Sequence, residues 1–111
     1  MHEYSVATEI AAIVKQTAQG RSVKKITIVI GTLSGVFSES LLMYLEIVLP
    51  DMGMDKVEIE TKESAAVFAC ACGNEYTATN MALACPKCGG YERTIKAGQD
   101  CIVESIEVED D

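Results

Sequence analysis

Four of the five cysteines stand in two close pairs, Cys70-Ala71-Cys72 and Cys85-Pro86-Lys87-Cys88, with twelve residues between the pairs. Each pair is followed by a glycine, Gly73 and Gly89. A thiolate pair on a tight turn needs the backbone to fold back so that N–H groups face sulfur. Glycine supplies the positive φ that this requires. Tyr76 and Tyr91 lie a few residues beyond each pair, so the segment is a weak internal repeat of two knuckles. Four thiolates on two turns make a tetrahedral S4 site, which suits zinc best. A closed four-sulfur shell leaves no position for water. The zinc expected at Cys70, Cys72, Cys85 and Cys88 is therefore structural and contributes folding energy rather than chemistry. Two rivals remain. Iron in a rubredoxin-like site uses the same knuckles, and Cys85 with Cys88 alone can be read as a redox dithiol. Neither accounts for both pairs as economically.

Disulfides are the other common use of clustered thiols. Residues 1–5 carry no basic stretch, and Glu9 and Lys15 interrupt any apolar one, so a secretory signal peptide is not expected. A reducing, cytoplasmic setting is expected instead, where metal binding outweighs disulfide formation. With 111 residues, 49% of them apolar, the chain is long enough for one modest core. A chain of this size buries roughly two-thirds of its extended surface. The most apolar run, residues 41–49, is interrupted by Glu46, so no membrane span is expected. A net charge of −8 opposes phosphate-backbone binding, which draws its affinity from Lys and Arg. No nucleic-acid partner is expected; an acidic surface suits basic proteins or metal cations.

Residues 5–19 place Val6, Ile10, Ile13, Val14 and Thr17 on one stripe, the spacing of an amphipathic helix that Gly20 stops. Ile26, Ile28 and Ile30 then alternate with Lys25, Thr27 and Val29, which predicts a strand. After a turn over residues 31–35, Ser38 is the expected cap of a second helix, with Glu39 in its first turn. That helix should bury Leu41, Leu42, Leu45, Val48 and Leu49 and end at Pro50. Val57, Ile59 and Thr61 predict a half-buried strand, parallel to the first because a helix connects them. A final strand has Ile102, Ile106 and Val108 on one parity with Glu104 as the exception, and it should lie beside the second strand. The expected architecture is α+β. Two helices pack on a small three-stranded mixed sheet built from residues 1–63 plus 101–111, and a zinc-ribbon-like domain is inserted at 64–100. The inserted segment has few large apolar side chains and should depend on its metal.

The only histidine is His2. A free α-amine on Met1, the amide nitrogen of residue 2 and the His2 imidazole can form fused chelate rings on one metal. Glu3 adds a further amide nitrogen or a carboxylate oxygen. Nitrogen-rich tetragonal sets of this kind suit Ni(II) or Cu(II).

Several segments occur together in order: Met1-His2-Glu3-Tyr4-Ser5, the strand and turn of residues 28–36 with Gly31-Thr32-Leu33-Ser34-Gly35-Val36, the two knuckles, and Ser105-Ile106-Glu107-Val108-Glu109 at the close. Together they resemble the HypA family of nickel metallochaperones, which serve maturation of nickel–iron hydrogenases and sometimes urease. The resemblance covers essentially the whole chain. It implies a nickel-binding α/β domain with an inserted zinc domain, Ni(II) as cargo at Met1, His2 and Glu3, and structural Zn(II) at the four paired cysteines. It further implies a GTPase maturation partner and the hydrogenase large subunit as contacts. One departure stands out: the family's first knuckle is Cys-x-x-Cys, whereas a single residue separates Cys70 from Cys72. The turn must be tighter if both sulfurs are to reach one metal.

Other features point to no chemistry. Met52 and Met54 offer soft sulfurs for Cu(I), but loop methionines far more often pack on a helix end. Cys101, at the start of the last strand, reads as a small buried or half-buried thiol. The acidic residues Glu58, Glu60, Glu104, Glu107, Glu109, Asp110 and Asp111 read as a solvated face and tail. With its one histidine at the terminus and no G-x-x-x-x-G-K loop, the chain is not expected to be an enzyme. The function expected is nickel delivery. The alternative is a zinc-ribbon interaction adaptor that delivers no nickel, and an iron or dithiol redox protein is a weaker third.

Overall fold

A computed structural model describes residues 2–78 and 82–109, with His2 by its backbone alone. Helix α1 (His2–Ala18) leads into strand β1 (Val23–Gly31), helix α2 (Ser38–Asp51) and strand β2 (Glu58–Ser64). Three short strands follow, β3 (Ala66–Cys70), β4 (Glu75–Ala78) and β5 (Arg93–Ala97), before β6 (Cys101–Val108). They form two three-stranded sheets, ordered β2-β1-β6 and β4-β3-β5. As expected for a strand–helix–strand unit, β2 runs parallel to β1; β6 runs antiparallel on its other side. The first sheet is therefore mixed, and the two helices pack their apolar residues against its isoleucines. No helix among the described residues is long and apolar enough to cross a membrane.

The last strand lies beside the first strand, not the second. The reason is visible in the side chains. In β1, Ile26, Thr27 and Ile28 are all buried, so this strand is covered on both faces and takes the centre. β2 and β6 alternate half-buried with exposed residues and suit the edges. Glu104 is likewise no flaw in the pattern of β6. Thr27 pairs with Ser105 and Ile28 with Val103, so Glu104 is an extra residue that bulges out of the register. The bulge switches parity. Cys101 and Val103 before it and Ile106 and Val108 after it all pack on the core, while Ile102 is left exposed. The freed Glu104 carboxylate meets Lys62 Nζ at 2.9 Å.

Helix α1 starts three residues earlier than the apolar spacing predicts and buries a different stripe. Glu3, Ala7, Ile10, Ala11, Val14 and Ala18 face inward, whereas Ile13 and Thr17 are exposed. Three alanines on the buried side let the helix backbone approach its neighbours closely, so the branched residues alone misplace the stripe. Positive φ at Gln19 and Gly20 ends the helix. Helix α2 buries Leu41, Leu45, Val48 and Leu49, with Leu42 only half-buried and Pro50 in the last turn. Its cap position is Phe37 rather than Ser38, and no side chain from Phe37 caps it. Met54 is buried and Met52 packs against the same core, which agrees with methionines used for packing.

The second sheet has a small core of its own, although residues 64–100 carry few large apolar side chains. Ala66, Phe68, Cys70, Tyr76, Ala78 and Cys85 form it, with Leu33 from the turn after β1 packed against them. Only two aromatic rings give it bulk, and two of its members are metal-ligand candidates.

The two sheets meet where Gly31 lies against Gly98. A Cβ on Gly31 would be driven into the Gly98 carbonyl, and one on Gly98 would come within 2.6 Å of the Ala66 Cα. Gly31→Ala is expected to lower the unfolding free energy by about 3 kcal/mol, the upper end of ordinary overpacking, because backbone rather than a side chain must move. Urea denaturation followed by far-UV circular dichroism measures this; a midpoint equal to wild type would show that the junction yields freely.

Candidate metal centre

Each cysteine pair sits on a turn closed by backbone bonds. In the first, Cys70 N–H donates to the Asn74 carbonyl at 2.8 Å and Gly73 N–H to the Cys70 carbonyl at 2.9 Å. In the second, Cys85 N–H donates to the Gly90 carbonyl at 3.0 Å and Gly89 N–H to the Cys85 carbonyl at 2.8 Å. Both glycines have the positive φ their positions require, 96° at Gly73 and 74° at Gly89. The first knuckle is thus the second with one residue removed between the cysteines, and each closing bond spans one residue fewer. The tighter turn is anchored from outside as well, since Ala71 N–H donates to the Glu92 carbonyl at 2.8 Å.

The shorter turn still brings its sulfurs to the other pair. All four Sγ atoms lie within 4.8 Å of one another. Cys70 and Cys88 sulfurs are 3.5 Å apart, and those of Cys72 and Cys85 are 3.8 Å apart. Tetrahedral zinc with Zn–S bonds of about 2.3 Å separates its sulfurs by about 3.8 Å. The donor set and its spacing therefore fit a zinc ion. Cys70 and Cys85 are buried, Cys72 and Cys88 exposed, so the site lies half in the small core and half at the surface. Donors aim at the sulfurs: Asn74 Nδ2 lies 3.6 Å from Cys85 Sγ and Gly90 N–H 3.4 Å from Cys88 Sγ. Such N–H contacts stabilise thiolate charge and orient the ligand.

These contacts separate the thiols electrostatically. Burial raises Cys85, but the N–H groups of Cys88 and Lys87, the Asn74 amide and the Cys70 thiol outweigh it and bring Cys85 down to about 6. At Cys70 the Cys72 N–H lowers the value, yet burial and the bonds to Cys88, Cys72 and Cys85 push it up to about 12. Burial also pushes up the Cys101 thiol, which stands on β6 with the main core.

At the other end of the chain, Met1 and the His2 side chain lie outside the described residues. Glu3 is described, and it is only 8% exposed. Its carboxylate accepts a hydrogen bond from Phe37 N–H at 3.3 Å. It thus ties down the N–H of the cap residue itself at the start of α2, and a carboxylate there also meets the positive end of the helix dipole. No local pattern announces this pairing, because the partners are 34 residues apart. The same holds for Leu33, which reaches from the turn after β1 into the core of the second sheet.

Two expectations follow. Below about pH 6 zinc must displace one more proton, from Cys85, so the slope of log apparent zinc affinity against pH should steepen by about one unit there. Chelator competition across that range measures it; an unbroken slope would put the first thiolate elsewhere. Glu3→Ala should lower the stability of the metal-free protein by about 1 kcal/mol through loss of the bond to Phe37 N–H and of the carboxylate at the start of α2, read as a shift in the urea midpoint.

Comparison with known proteins bears on the whole chain. A family model described as "Hydrogenase/urease nickel incorporation, metallochaperone, hypA" matches residues 1–108. Hydrogenase maturation factor HypA of Caldanaerobacter subterraneus subsp. tengcongensis is 39% identical over 114 residues, covering 98% of this chain and 100% of the relative. That of Francisella philomiragia is 35% identical over 109 residues, covering 96% and 97%. In fold, the chain is similar to the solution structure of the Ni metallochaperone HypA from Helicobacter pylori. The TM-score there is 0.71 at 17% identity, with 96% of each chain covered. A second solution structure of HypA protein gives a TM-score of 0.73 at 21% identity, covering 98% of this chain and 97% of the other. With the model match running from the first residue through the end of β6, this chain belongs to the HypA family.

Proposed function

We propose that the chain is a nickel metallochaperone: it holds Ni(II) as cargo at its N-terminus and passes it on during maturation of nickel–iron hydrogenase, or of urease. The observation that carries the reading is the family match over residues 1–108, a span that takes in Met1, His2 and Glu3. The donors are the Met1 amine, the His2 amide and imidazole, and Glu3. Backbone geometry is compatible. Because α1 begins at His2, the N–H groups of residues 2 and 3 fall in the first helical turn, where no carbonyl one turn earlier claims them. The Glu3 Oε2 atom accepts from Phe37 N–H, which leaves Oε1 and the amide nitrogen as the donors that Glu3 can offer. A terminal chelate with few ligands suits a carrier that must release its metal, and it needs no catalytic group; the chain acts as a carrier rather than an enzyme.

In this reading residues 1–63 plus 101–111 are the nickel-binding domain and residues 64–100 the zinc domain. Cys70, Cys72, Cys85 and Cys88 hold structural Zn(II), which supplies folding energy to a sheet with little core of its own. The partners are a GTPase of the maturation machinery and the hydrogenase large subunit, and the exchange takes place in the cytoplasm.

Calorimetric titration of Ni(II) into untagged protein tests the terminal chelate, beside a form with one residue added before Met1 and a His2→Ala variant. Wild type should bind about one nickel and both changes should abolish it, since each removes a donor from the fused rings. If all three behave alike, the terminus is a tail and the zinc-ribbon adaptor without nickel delivery becomes the better reading.

A further inference from the structure

The two knuckles are held to the second sheet in different ways. Cys70 is itself the last residue of β3, so the first knuckle hangs from a strand. Cys85 is seven residues beyond the end of β4 at Ala78, and residues 82–84, just before it, bury no side chain. Among the described residues, something other than apolar packing holds that approach. It is held by the backbone carbonyl of Leu83, which accepts a hydrogen bond from Arg93 Nη1 and a weaker one from Tyr76 Oη at 3.3 Å. Arg93 Nη1 also donates to Tyr76 Oη at 2.8 Å. The guanidinium carbon lies 4.4 Å from the centroid of the fully buried Phe68 ring and 5.5 Å from that of Tyr91. A planar cation stacked on an aromatic face while its edge donates to two oxygens is a geometry that lysine cannot reproduce. Across the sheet, Arg93 pairs with Cys70, so one residue ties the two halves of the cluster together.

We propose that Arg93 is a positioning residue for the four-sulfur site: by clasping the Leu83 carbonyl it sets how slowly the second knuckle lets zinc go. The inference rests on the zinc reading above. Zinc leaves when one thiolate detaches and its turn swings away. A turn pinned two residues before Cys85 recaptures the metal before the next thiolate follows. Partners outside the ligand shell commonly carry about 10-fold or more in metal affinity.

Zinc release from the full chain into excess 4-(2-pyridylazo)resorcinol tests this, with Arg93→Lys and Tyr76→Phe beside wild type. Cobalt(II)-substituted samples are read by their sulfur-to-metal charge-transfer bands. Arg93→Lys, which keeps the charge, should release zinc about 10-fold faster while the cobalt bands stay where they are. Tyr76→Phe keeps the ring on Phe68 and loses only the hydroxyl; it should release zinc about threefold faster. It also serves if the Arg93 variant does not fold. Release at the wild-type rate in both variants overturns the proposal while leaving the zinc site intact. Wild type that takes up no zinc at all overturns the zinc reading and this inference with it.

Discussion

The contact on which the rest depends is the meeting of three backbone segments at Gly31 and Gly98. Gly31 N–H donates to the Asp100 carbonyl, Leu33 N–H to the Gly98 carbonyl and Thr32 N–H to the Ser64 carbonyl, each at 2.8 to 2.9 Å. The end of β1, the passage from β2 to β3 and the passage from β5 to β6 thus converge on one spot. Neither glycine has room for a Cβ, and Gly98 also sits at φ 97°. A second sheet inserted into the first has to leave and return through a single opening. Hydrogen-bonded backbone packed without side chains closes that opening.

From this junction the turn after β1 reaches both ways. Leu33 packs on the core of the cysteine-bearing sheet, and a few residues later Phe37 N–H binds the buried carboxylate of Glu3. The segment between them starts at the two-sheet junction and ends at the first turn of α1. A motif that reads as a simple strand-ending turn therefore touches both the core of the cysteine-bearing sheet and the chain's N-terminal turn.

The two cores differ in what holds them. The larger is ordinary apolar packing: isoleucines of β1 under alanines and valine of α1 and leucines of α2, all nearly inaccessible to water. The smaller has Phe68 and Tyr76, two alanines and two cysteines, with Arg93 laid over the Phe68 ring. Among the described residues, its larger aliphatic side chains are the partly buried Leu33 and Ile95. Four sulfurs converging within 4.8 Å fill the place where a larger protein would set leucines, and a metal held by them would bind together what apolar contact does not.

Local spacing made much of this legible. The cysteine pairs and the glycines after them announced two knuckles, because ligand spacing and positive φ are properties of adjacent residues. The period-two isoleucines marked β1, and the leucine run marked α2. Where the sequence misled, the deciding contact was remote. Alanines of α1 looked neutral until a helix packed close enough to need them, and β6 looked like a neighbour of β2 until the doubly buried β1 claimed the centre of the sheet. A bulge at Glu104 changed the parity of one strand, which no alternation pattern can express. The Glu3–Phe37 bond, the Arg93 clasp and the Gly31–Gly98 contact belong to the tertiary structure alone. Each joins residues far apart in the chain, and their chemistry exists only once folding has set a donor opposite an acceptor, a cation over a ring, or one backbone against another.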